Sequence, residues 1–196
     1  MKFNRFGTIT GLLASMLVLP VLSSAAPKEC VEGKPTAASY TWDFKSEATN
    51  LLNGIQQDAS NGRDHAALLQ SFANDPDLSW QSHAYQLTDL KADINDMSSK
   101  LCRLETIRRV VAPWQQNAID RAATMVRLMA DNTEDAITYL NHNEGAFWTP
   151  TYRMYANNLY NESNQLSNQV KQFEQYATAH NQEVHLQKDL GMKTGS

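Results

Sequence analysis

The sequence predicts an all-α protein: an antiparallel up-down-up-down bundle of four long helices at about residues 39–74, 79–111, 113–143 and 149–185. Three observations carry this. Apolar residues recur at steps of three and four along most of the chain. Glycine and proline are scarce and fall in short clusters, "KECVEGKP", "NDPD", "VVAPW", "NEGAFWTP" and "GMKTGS". The segments between those clusters have similar lengths and short connections, which favours antiparallel neighbours.

The first predicted helix steps through Phe44, Ala48, Leu51, Ile55, Asp58, Gly62, His65, Leu69 and Phe72. Asn61-Gly62 is a fair helix-stop signal, but the register survives it, and carrying the helix through matches the other lengths. The second carries the longest stripe: Trp80, His83, Leu87, Leu90, Ile94, Met97, Leu101, Leu104, Arg108 and Val111. This is a heptad seam with two polar intruders, His83 and Arg108. Pro113 starts the third helix or kinks a longer one. Its slots are Ile119, Ala122, Val126, Met129, Thr133, Ala136 and Leu140. Thr149-Pro150 opens the fourth, with a capping threonine and proline at the first helical position. Its slots run from Ala156 through Leu159, Ser163, Leu166, Val170, Phe173 and Ala177 to His180. The stretch "NNLYNESNQLSNQVKQ" suggests an outer face that is polar but little charged.

The ends read differently. Lys2 and Arg5, the apolar run "GLLASMLVLPVL" and the small residues "SSAA" have the layout of a secretory signal peptide over 1–25. That run is too short to span a bilayer, and no second one occurs. Residues 26–38 form an N-terminal tail, 39–185 the bundle domain, and 186–196 read as a disordered end. The expected location is the periplasm or the extracellular space. Cys30 and Cys102 are the only cysteines. In an oxidising compartment they are expected to pair, closing a loop of about 70 residues and stabilising by about 4 kcal/mol in the chain-entropy view.

Loss of Lys2 and Arg5 with the leader makes the net charge of −4 more negative by two. A mildly acidic chain is a poor partner for nucleic acid or an anionic membrane. The basic run Lys100, Arg103, Arg108 and Arg109 reads as a solvated helix face. No nucleophile elbow, metalloprotease helix, phosphate loop or dinucleotide fingerprint occurs, so no catalytic residue is assigned and no enzyme is expected.

Two sites remain to be weighed. His65 and His83 each open a His-Ala-x-x-Leu motif. Asp58, His65 and His83 fall in the inward register near one end of an antiparallel helix pair, and carboxylate plus imidazole suits a transition metal. Against this, the di-iron pattern of Glu-x-x-His on two helices is absent. A seam histidine is more often a hydrogen-bonded core residue. A haem held by Met97, Met125, Met129 or Met154 with His180 competes with plain packing, the commoner use of methionine. Neither a metal nor a cofactor is therefore expected. The aromatics are the other candidate surface. Tyr40, Trp42 and Phe44 open the first helix, and Phe147, Trp148, Tyr152, Tyr155 and Tyr160 open the fourth. They should cap opposite ends of the bundle, or present a tip to a protein partner or a second copy. The expectation is an exported, non-enzymatic bundle that binds or scaffolds, with a metal- or haem-binding bundle as the alternative.

Overall fold

The computed structural model describes residues 43–145 and 147–192. Four helices account for nearly all of them: α1 (Phe44–Phe72), α2 (Trp80–Ile107), α3 (Pro113–His142) and α4 (Pro150–Asp189). A 3-10 turn, Arg108–Val110, follows α2. Helices α1 and α4, α1 and α2, α3 and α4, and α2 and α3 pack as neighbours, so the bundle is square with α1 and α3 on a diagonal. The all-α four-helix architecture is as the sequence predicts.

Local chemistry fixes the ends. The Asp43 carboxylate accepts from the Lys45 and Ser46 backbone N–H groups at 3.0 and 3.1 Å and so caps α1. Thr149 accepts from the Tyr152 N–H and meets the Tyr139 hydroxyl at 2.6 Å. Pro113 starts α3 as a separate helix after the 3-10 turn. The nearly buried Gln115 accepts from the Ala112 N–H at 2.9 Å. It also donates to the Lys45 carbonyl at 2.7 Å and to the Thr49 hydroxyl at 3.1 Å, tying the start of α3 to the start of α1 across the diagonal.

Three boundaries differ from the sequence reading. Residues 39–42 of the first predicted helix lie outside the described residues, as do the signal peptide over 1–25 and the tail over 26–38. α4 continues to Asp189, so residues 186–189 are helical and not a disordered end. Its stop is Gly191 at φ 65°, where the Gly191 and Met192 N–H groups close back onto Lys188 and Gln187. The composition before Gly191 is helix-compatible and holds no earlier breaker. α4 is thus 40 residues long against 29, 28 and 30 for α1, α2 and α3.

The core forms two clusters. One contains Leu52, Ile55, Ile94, Met97, Leu104, Ile119, Met129 and Leu166. The other contains Leu69, Leu87, Leu90, Ile137, Leu140, Phe147, Tyr152 and Leu159. Between them lies a waist of small residues, Gly62, Thr133 and Ser163, all buried. A Cβ on Gly62 would meet Ser163 Oγ at 3.5 Å, Leu90 Cδ2 at 3.6 Å and Met129 Cε at 3.7 Å. Those are ordinary contact distances, so α1 runs straight through Gly62.

The buried stripe of α1 is Ala48, Leu52, Ile55, Ala59, Gly62, Ala66 and Leu69. The stepping read from Phe44 is therefore one position out at Leu51, Asp58 and His65, which lie beside the stripe and not in it. The stripes of α2 and α3 are buried as read: Leu90, Ile94, Met97 and Leu101 are at most 7 % exposed. The polar residues of α4 also turn inward more than expected. Gln56 donates to Ser167 at 3.1 Å, Gln70 to Asn157 at 2.8 Å, and Asn158 to Asn132 at 3.3 Å, lacing α4 to α1 and α3.

A mid-helix glycine is less favourable than alanine by about 0.5–1 kcal/mol, and here the methyl fits. Gly62→Ala should accordingly raise stability by about that amount. Leu90→Ala, beside it, should lower stability by about 2–5 kcal/mol through lost burial and a cavity. Chemical denaturation of both variants checks the waist.

Candidate functional site

The predicted ligands Asp58, His65 and His83 have three separate environments. Asp58 is half-buried and accepts from Lys100 at 2.6 Å. The Lys100 stem crosses α1 over Gly54, where a Cβ would come within 2.7 Å of it. His65 lies on the flank of α1 that faces α2. Its Nδ1 is 3.2 Å from Gln86 Oε1 and 3.8 Å from Asp89, and its Nε2 is 3.8 Å from Asp93. The two carboxylates thus address opposite edges of the ring, which one ion cannot bridge. Among the described residues no three His, Cys, Asp or Glu side chains are grouped to hold a metal ion.

His83 is the intruder in the α2 seam, and it is fully buried. Its ring lies edge-on to Phe72, Phe147 and Tyr152, with centroids at 5.8, 4.5 and 5.4 Å. Neither ring nitrogen has a hydrogen-bond partner among the described residues, nor has the buried Tyr152 hydroxyl. The expected polar neighbour of a seam histidine is replaced here by aromatic edges. Burial in this box pushes the His83 pKa down to about 4 and the Tyr152 phenol upward. The aromatics that open α4 therefore cap this end of the core, with Phe147 and Tyr152 buried and Trp148 half-exposed.

The haem ligands considered from sequence are likewise not brought together. Met97 and Met129 are fully buried in the core, Met154 is exposed, and His180 stacks on Tyr176 at the surface at 6.0 Å. The basic run is cross-braced. Arg103 holds Glu47 of α1 through two hydrogen bonds, and Arg108 holds Asp120 of α3 the same way.

Two carboxyl groups that the sequence did not single out flank the bundle. Asp93, on the α1–α2 face, has one oxygen buried without a hydrogen bond. Burial, reinforced by Asp58, Asp89 and Asp96 and opposed by His65, raises its pKa to about 6. Glu162, on the α3–α4 face, accepts from Asn132 at 2.7 Å while its second oxygen is buried and unpartnered. Burial, with a smaller contribution from Asp131, raises its pKa to about 7 against the Asn132 bond.

The opposite end is open. The last buried residue of α4 is Val170. Beyond it the helix passes the starts of α1 and α3 without burying a side chain. It leaves a groove of about 810 Å3 lined by residues such as Asn50, Trp114, Gln115, Glu174, Tyr176 and Asn181. The Asn53 amide, nitrogen toward Glu174, donates to that carboxylate across it. Arg121 stands over the Phe173 ring at 5.8 Å beside a second depression. Farther out, Val184, Leu186, Leu190 and Met192 are exposed, Leu190 by 71 %. Alternation of apolar residues could not reveal this end, because it follows from the extra length of α4. No protein-family model, curated protein or solved structure matches the chain.

Two predictions follow from the titratable groups and the donor geometry. A carboxyl whose folded pKa is raised contributes stability at low pH and loses it as pH rises from its unfolded value to its folded one. For Asp93 that window is about pH 4–6, and for Glu162 about pH 4.5–7. Asp93→Asn and Glu162→Gln should therefore raise the melting temperature at pH 8 relative to wild type, with the gain shrinking toward pH 4. His83 works the other way, since its lowered pKa costs stability as pH falls from 6.5 toward about 4. His83→Leu, which removes two unpartnered nitrogens, should be close to neutral at pH 8 and stabilising at pH 4.5. Melts of the three variants across this range check the signs.

Calorimetric titration of the metal-stripped protein with zinc should show no saturable binding tighter than about 10 μM, about −7 kcal/mol. A one-to-one isotherm tighter than that, lost in His65→Gln, would contradict the separation of the three ligands.

Proposed function

We propose that the protein is an exported, non-enzymatic helical bundle that binds or scaffolds in the cell envelope, using the projecting end of α4 as its contact surface. The observation that carries this is the projection itself. α4 outruns its neighbours and presents Val184, Leu186, Leu190 and Met192 to solvent. A short helical extension without packing is marginal in water, and contiguous exposed apolar side chains mark interaction surfaces. The bound species is a protein partner or a second copy of the chain. The acidic balance and the cross-braced arginines speak against nucleic acid. Among the described residues no helix is long and apolar enough to cross a membrane.

Export and the bridge belong to the same reading. The support is the leader-like start and the two cysteines. Cys102 is half-buried on α2, no free cysteine occurs among the described residues, and Cys30 lies outside them. The intact mass of the exported protein should show loss of about the first 25 residues, the length such a leader takes, and two hydrogens fewer than the reduced form. A photoreactive residue placed at Leu186 in the producing cells should give a covalent adduct. The same residue at Leu128, exposed on α3, should not. Equal yields at both positions, or none at Leu186, would remove the projection from the function.

A further inference from the structure

We propose that the chain's own residues 31–42, anchored by a Cys30–Cys102 bridge, cross the open end of the bundle and fill the groove between α1, α3 and α4. The anchor rests on the disulfide reading above. The occupancy rests on where the chain enters.

Asp43 caps α1 at the lip of this end, and Lys45, Ser46 and Thr49, immediately after it, line the groove. The preceding residue therefore arrives at the groove whatever path the segment takes. The other anchor is compatible. Lys100 and Arg103 of α2 both reach α1, at Asp58 and Glu47. Cys102 lies on the far side of Leu101 from Lys100, on the flank toward α3. A path from Cys102 to Asp43 thus runs over the start of α3, where Ala112, Pro113 and Trp114 form the groove's second wall. Thirteen steps at up to about 3.4 Å give a reach of about 44 Å, against two interhelical spacings of about 10 Å each.

The chemistry also matches. The segment reads Val-Glu-Gly-Lys-Pro-Thr-Ala-Ala-Ser-Tyr-Thr-Trp. Pro35 holds Lys34 extended, and Thr36 to Ser39 are slender. Tyr40 and Trp42 alternate, so in an extended chain they share one side, facing the aromatic pair Trp114 and Tyr176 of the groove. An extended backbone needs partners for its N–H and C=O groups, and the walls supply Asn50, Thr178 and Asn181. Lys34 and Glu32 complement Glu174 and Lys45. A covalently attached segment is present at millimolar effective concentration, so individually weak contacts suffice.

The test is backbone hydrogen exchange of the oxidised, processed full chain at two protein concentrations. It compares wild type, Tyr40→Ser/Trp42→Ser and Cys30→Ser, each with a circular dichroism melt to show that the bundle is folded. Residues 174–181 should exchange about tenfold faster in the double variant and severalfold faster in Cys30→Ser, with 150–166 unchanged. Protection that survives both variants overturns the proposal. So does protection that grows with concentration alongside a doubled molecular mass, which would make a second copy the occupant. The adduct at Leu186 lies outside the groove, so the strap and the contact surface stand or fall separately.

Discussion

The close approach of α1 and α4 governs the rest of the structure. It is possible because the buried stripe of α1 is made mostly of small residues, Ala48, Ala59, Gly62 and Ala66, facing Ala156, Ser163 and Ser167 on α4. Bulk must then come from the other pair, and it does: Ile94, Met97, Leu104, Ile119 and Met129 are fully buried in α2 and α3. The narrow seam also explains the amides. At this separation Gln56 and Gln70 reach across α4 to Ser167 and Asn157, so polar residues fix the register where apolar area is limited.

The same seam ends early. After Val170 no side chain of α4 is buried, while Gln115 ties α3 directly to α1. The two ends of the bundle therefore differ in kind. One is closed by aromatic rings packed on a dry imidazole. The other is held by a single buried amide under an open groove. Local opening should begin at the second, where backbone hydrogen bonds are exposed and apolar contacts are few.

Much of this was legible in the sequence, and the exceptions have physical causes. The helix count, the α2 and α3 stripes and the continuity through Gly62 follow from periodicity, because those stripes alternate clearly between apolar and polar. In α1 the pairs Leu51–Leu52 and Leu68–Leu69 are apolar in both registers, and alanines carry too little contrast to choose between them. The phase slipped by one, which moved Asp58 and His65 into the core on paper. His83 was rightly placed inside, but its surroundings come from α1, α4 and the α3–α4 connection, which no single-helix pattern encodes. Asp93 and Glu162 read as ordinary surface acids until neighbouring helices cover them.

The burial of those two acids and of His83 has a consequence for proton exchange. Forming the bundle in weak acid draws protons from solution at two carboxyls and returns them at one imidazole. The two flows partly cancel, so the folded protein is less sensitive to a shift in ambient acidity than any one of the three groups would make it. What remains is a small net uptake, visible as a folding heat that changes with the ionisation enthalpy of the buffer.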